Sequence, residues 1–386
     1  MTLEALAISL ALLAHAAGDG VNATVVPRGG EPAFDVVDAV VSDVGVGFMV
    51  DGKRQVLGWD RVRELTGDAA GEFEPYRDIA ERVWRARFRV ERGDFENAEP
   101  LLEELATTYA LKSGPTAGVV HAGMLRCRVE RGATVSAVIP WLHYVASGDD
   151  LASSSSLLSM GKFGMALIDA EMMLAPELPP IWLDLPASRA IARVDWPLAA
   201  TDADPASRRR AAVMGQLYYR SLRDEIGMPI DGALPSAGAD PGLQFVREIV
   251  LARLGNAQQR AETRESLRSR LTRPHALWVR AWTNAAIGRS LLRETETEDR
   301  LLGIGYLLEV PATVPEASMH LTGVCLAEAA AALAALGDTA GAERVRQELL
   351  LTQPEHPALE WAPVRRIGST KSGSTPGATA PGGGTK

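Results

Sequence analysis

Arg89-Val90-Glu91-Arg92-Gly93 recurs 39 residues later as Arg128-Val129-Glu130-Arg131-Gly132, and this echo decides the reading of the chain. Pro100-Leu101-Leu102 has its own counterpart at similar spacing, Pro140-Trp141-Leu142. Gly93-Asp94-x-x-x-Ala98-Glu99 returns near the C-terminus as Gly337-Asp338-x-x-x-Ala342-Glu343, and a degenerate copy sits at Gly255-Asn256, with Ala261 one place late. Upstream of Gly93, Ile79, Val83, Ala86 and Val90 recur every three or four residues, which marks the buried stripe of an α-helix. Downstream, Asp94 is placed to cap a second helix through Ala98, Leu101, Leu102, Leu105 and Tyr109. Each copy is a long helix that stops at glycine and a second helix that starts at once.

This hairpin resembles the tetratricopeptide repeat (TPR), which pairs two helices around a tight turn. Ala98, Ala137 and Ala342 stand where that family keeps a small residue early in the second helix. Ala86 and Ala330 match its small first-helix positions, and Pro354 its terminal proline. The first-helix Trp and Tyr are absent, and the spacing exceeds the usual ~34 residues. The resemblance is carried by residues 75–145 and 315–355. It implies a mainly α fold, an α-solenoid of helical hairpins whose inner surface holds a peptide or protein.

Outward from the repeats the pattern changes. Between residues 22 and 66, Ala23–Val26, the β-branched run Phe34–Val41, Val46–Val50 and Arg54–Leu57 alternate with turn clusters, among them Pro27–Pro32 and the hairpin signal Asp51-Gly52. Four short strands in tight succession resemble a small SH3-like or Sm-like barrel, so a small antiparallel β unit is expected before the helices. The expected organisation is a signal peptide at 1–17, a β-barrel-like unit at 22–66 and TPR-like hairpins at 73–174. A proline-rich insert and a helix follow at 175–241, further helical repeats with a TPR-like C-terminal copy at 242–361, and a disordered tail at 366–386. Ser153–Met173 reads as one helix. Pro176, Pro179, Pro180, Pro186 and Pro197 interrupt any long helix after it, and Asp204-Pro205 restarts one.

Leu3–Ala17 is apolar apart from Glu4, Ser9 and His15 and ends in Ala14-His15-Ala16, a small-x-small cleavage pattern. Read as a signal peptide, it makes the protein periplasmic or secreted. Its first residues carry Glu4 and no basic residue, so the alternative is a short buried or amphipathic helix in a cytoplasmic protein. No later run reaches the ~20 apolar residues that span a bilayer. The net charge of −9 and pI near 5.3 argue against a general binder of nucleic acid or anionic membrane. With 46% hydrophobic residues and only 5% aromatic ones, the core is of the Ala- and Leu-rich kind that helical interfaces use.

No HExxH, GxSxG, Walker A or EF-hand pattern is present. His15, His121, His143, His275, His320 and His356 are scattered, with no two at helical ligand spacing. No catalytic, cofactor-binding or metal residue is therefore expected. Cys127 and Cys325 belong to no CxxC pair, and two buried thiols suit them better than one disulfide. Arg208-Arg209-Arg210 and the acidic run Glu294, Glu296, Glu298 and Asp299 read as solvated helix faces. Trp278 and Trp282 share one helical face, with His275 a turn before. They pack in a repeat interface or form the aromatic wall of a partner-binding groove. The leading expectation is a non-enzymatic scaffold for a protein or peptide. Its rivals are an enzyme with a non-local site under the proline-rich insert and a structural part of an envelope assembly.

Overall fold

A computed structural model describes residues 22–148, 154–159, 166–194, 196 and 204–369. The expected signal peptide, and residues 370–386 of the expected tail, lie outside them. The chain is mainly helical, preceded by a small antiparallel β unit. That unit has six strands: β1 (Ala23–Pro27), β2 (Phe34–Val36), β3 (Val40–Ser42), β4 (Gly45–Val50), β5 (Lys53–Leu57) and β6 (Val62–Gly67). They form two three-stranded sheets, β2-β1-β6 and β3-β4-β5. The run expected as one strand is split at Asp38, whose φ of 55° turns the chain from one sheet into the other. β6, beyond the expected strands, closes the unit by pairing with β1, Ala23 opposite Gly67. Val25, Phe48, Trp59, Val62 and Leu65 fill the core between the sheets.

Helices follow from α1 (Ala70–Phe73) through α2 (Arg77–Glu91), α3 (Phe95–Tyr109), α4 (Pro115–Glu130) and α5 (Thr134–Ser147). The β unit is stitched to them by main-chain bonds. The Trp59 N–H donates to the Thr116 hydroxyl at 3.0 Å, which donates to the Val44 carbonyl at 2.7 Å, and the Tyr109 hydroxyl donates to the Asp43 carbonyl at 2.8 Å. Buried Asp60 pairs with Arg87.

The repeated glycines do what the echo implied. Gly93, Gly132 and Gly337 have φ of 76°, 72° and 88°, and each follows the first helix of a pair. In each, the next residue's N–H reaches back five residues: Asp94 to Arg89 at 2.9 Å, Ala133 to Arg128 at 2.8 Å and Asp338 to Leu333 at 3.0 Å. This left-handed cap ends one helix and aims the chain into the next. Ala98, Ala137 and Ala342 are fully buried at the crossing. The degenerate copy differs: Gly255 has φ −62°, and a capping box between Asn256 and Gln259 starts the second helix instead.

The remaining helices are α6 (Ser155–Leu158), α7 (Pro186–Ile191), α8 (Pro205–Glu225), α9 (Pro241–Leu254), α10 (Ala257–Leu271), α11 (Leu277–Leu291), α12 (Thr297–Thr313), α13 (Met319–Ala335), α14 (Thr339–Thr352) and α15 (Ala362–Ser369). Two expectations are corrected. Ser153–Met173 is not one helix: after α6, the Asp169 carboxylate accepts from the N–H groups of Glu171 and Met172, a local turn that competes with helix. The ordered chain also runs past residue 366, because α15 extends through Ser369. No helix among the described residues is long and apolar enough to cross a membrane. Cys127 and Cys325 are free and buried, and burial pushes the Cys127 thiol up to about 12.

Candidate functional site

The proline-rich insert runs through the interior rather than over it. Leu174–Leu185 is non-helical, yet only Glu177 and Asp184 within it are even half-exposed. Burying irregular backbone strands polar groups unless each finds a partner. Two features of this segment meet that demand. Pro176, Pro179 and Pro180 have no N–H to satisfy. The carbonyls are held by side chains of surrounding helices: Trp282 Nε1 donates to Pro176 at 2.9 Å, Ser221 to Pro180 at 2.6 Å, Arg289 to Trp182 at 3.0 Å, and the Tyr218 hydroxyl to Leu178. The Ser318 hydroxyl, which caps α13, donates to the Glu177 carboxylate at 3.0 Å.

Of the two readings for Trp278 and Trp282, packing in the interior is the one the structure shows, and the alternative of a partner-binding groove is corrected. Their exposures are 4% and 0%; Trp282 stacks on Phe245 in the core and Trp278 packs tilted against it. Trp282 does hold an extended segment by its indole, but the segment is the chain's own. His275 is exposed in the turn before α11 and lies outside the lining of both clefts. In the two charged runs expected as solvated helix faces, Arg210 and Glu294 are instead half-buried and paired, Arg210 with Asp240 and the Met172 carbonyl and Glu294 with Arg260 and Arg264.

Beneath the insert the fold gathers an ionic cluster. Buried Arg289 pairs with Glu225 at 2.6 Å and Glu328 at 2.8 Å. Arg253 reaches Glu225 at 3.2 Å, and Arg293 reaches Asp224 at 2.6 Å. Burial works against the charge on Arg289, but the two carboxylates hold it protonated. Glu328 is pushed up by burial despite Arg289, and its Oε2 has no partner. Four histidines, distant in sequence, meet in two pairs. His121 stacks on His143 at 4.8 Å and His320 lies against His356 at 5.3 Å. Among the described residues, no group of three or more His, Cys, Asp and Glu is placed to hold a metal ion.

The cleft with open chemistry lies on the other face of α11. A cavity of about 390 Å³ is lined by Leu271 at the end of α10, Arg280 and Asn284 of α11, and Leu302, Gly305, Tyr306 and Glu309 of α12. The spacing is helical on both walls, i and i+4 on α11 and i, i+3, i+4 and i+7 on α12, so two antiparallel faces look at each other. Asn284 is 2% exposed and forms no hydrogen bond with the described chain. Its amide keeps contact with solvent in the cavity, so its hydrogen bonds are open to a ligand there. Arg280 and Glu309 pair across the cleft at 3.4 Å, and Leu271 and Leu302 supply apolar wall. The α11 and α12 backbones touch further along, where a Cβ on Gly288 would meet the Gly303 carbonyl at 2.8 Å. A second cleft, of about 570 Å³, is lined by Arg28, Arg63, Glu64, Arg77, Asp78 and Glu81. Its charges are balanced in sign, and several are already paired, Arg28 with Glu81 at 2.8 Å and Arg77 with Glu74 at 2.9 Å.

No protein-family model matches the chain, and neither the curated proteins nor the solved structures give a significant match. The cleft's residues carry no motif. Nothing in the sequence singled out Asn284, one of several polar residues along α11.

Proposed function

We propose that the protein is a non-enzymatic, TPR-like scaffold that holds an extended peptide of a partner protein in the α11–α12 cleft. The observation that carries this reading is the Asn284 amide, which makes no hydrogen bond within the described chain and opens onto the cleft. A primary amide offers N–H donors and a carbonyl acceptor together, the complement of one peptide unit. Leu271 and Leu302 give apolar side chains a surface, and the Arg280–Glu309 pair gives polar ones a rim. The interior that a repeat array would offer a ligand is taken up by Leu174–Leu185, which supports an outer cleft as the binding site.

Selection of phage-displayed random dodecapeptides on the immobilised full chain tests this. Selected peptides, resynthesised, should bind wild type and lose at least tenfold in affinity for Asn284→Ala and for Gly305→Leu. A Cβ on Gly305 meets nothing within 4 Å, so the larger side chain fills the cleft without straining the fold. Peptides that bind Gly305→Leu as tightly as wild type, or a selection that returns none, would overturn the reading.

A further inference from the structure

We propose that the free edge of β5 is a second interaction surface, which accepts an extended acidic and apolar strand of a partner protein. It lies in the β unit and is independent of the α11–α12 cleft. β5 pairs with β4 on one side and, among the described residues, has no strand on the other. Its alignment follows from the hairpin. Asp51 and Gly52, with φ of 51° and 72°, form a two-residue turn between Val50 and Lys53. Such turns close on a hydrogen-bonded pair, and bonding alternates along an antiparallel ladder. The main-chain groups of Lys53 therefore face β4, and those of Arg54 and Val56 face outward.

The face beside this edge is apolar and open. Val40, Gly47 and Val56 lie in one row across the sheet, and Met49 lies opposite Arg54 in the next. Val40, Met49 and Val56 are 45%, 40% and 41% exposed. Natural edges are blunted by charges that project past them. Arg54 instead lies back over the sheet, its Nε 3.1 Å from where a Gly47 Cβ would sit. Lys53 and Arg54 form no ion pair with the described residues, in a chain of net charge −9. Outward N–H and C=O groups, the apolar row on the Val56 face and the uncompensated Lys53 on the opposite face together suit a strand that alternates apolar and acidic residues, its apolar side chains beside Val56 and its acidic ones beside Lys53. A second copy fits less well, because pairing β5 with itself brings both sets of cations onto one short ladder.

The test uses the isotope-labelled full-length chain and two capped hexapeptides, one alternating Glu with Val and one alternating Lys with Val. The acidic peptide should bind with a submillimolar Kd, weaken as salt rises, and slow amide exchange at Arg54 and Val56 at least tenfold. The basic peptide should do neither. Val56→Pro removes an outward N–H while sparing the bonds to β4, and should abolish binding. The double variant Lys53→Glu, Arg54→Glu should exchange the preference between the peptides. No binding of the acidic peptide at millimolar concentration, or undiminished binding by Val56→Pro, would overturn the proposal. So would protection of these amides that depends on protein concentration alone, which would mark a contact between copies.

Discussion

Trp282 shows how much one side chain decides here. Its ring is fully buried and its indole N–H is the partner of a carbonyl inside the protein. Trp282→Phe keeps most of the apolar surface but leaves the Pro176 carbonyl without its donor, and should lower unfolding free energy by about 1–3 kcal/mol. Trp282→Ala should remove about 3–5 kcal/mol. Urea unfolding of both variants checks this, and a loss below about 1 kcal/mol for Ala would contradict the packing. The sequence revealed the helix and the adjacency of Trp278 and Trp282. It did not reveal which face was free, for a physical reason. Every residue of α11 except Leu277 and Arg280 is buried, so the helix has no polar stripe to mark its outer side. Asn284 was hidden by the same lack of contrast.

Helix pairing follows two rules, one legible and one not. A left-handed helix cap requires glycine, so Gly93, Gly132 and Gly337 announced their hairpins. The close crossing of α11 and α12 also requires glycine, but Gly288 and Gly303 lie inside helices, where spacing alone assigns them no partner. A Cβ on Gly303 would meet the Gly288 carbonyl at 2.9 Å and the Leu291 Cβ at 2.9 Å. Gly303→Val should therefore force the helices apart and lower stability by about 1–3 kcal/mol. Gly305→Ala, two residues on and open, should be neutral or stabilising by up to ~1 kcal/mol. Equal denaturation midpoints for Gly303→Val and wild type would show that the helices do not cross there. Breaks made by single residues within a strand or helix run were the least legible. Asp38 splits β2 from β3 and Asp169 makes a turn within the run expected as helix, each through a local geometry that periodicity does not encode.

Across the whole molecule, acid should be the effective denaturant. Burial first, and the facing ring of His143 second, lower His121 to about 3; burial lowers His143 to about 4. His320 and His356 fall likewise to about 3 and about 4, His320 by burial and then by His356. A histidine with a lowered folded pKa contributes stability that is present above its unfolded value near 6.5 and is lost as pH falls toward the folded one. Each such group gives a slope of up to about 1.4 kcal/mol per pH unit. Glu177 acts in the opposite sense. Burial raises it to about 7 against the Ser318 hydrogen bond, so its contribution is present at low pH and lost as pH rises through 7. Stability should therefore fall steeply from about pH 6.5 to 4, and His143→Gln with His356→Gln should flatten that slope; an unchanged slope would contradict the pairing. The clamped segment also bears on biosynthesis. Pro176 leaves the ribosome 106 residues before Trp282, and Glu177 leaves 141 before Ser318. At about 5–20 residues per second, a strongly apolar stretch waits roughly 5–30 s for the helices that enclose it. A nascent chain halted before α11 should expose that stretch to whatever chaperone is within reach.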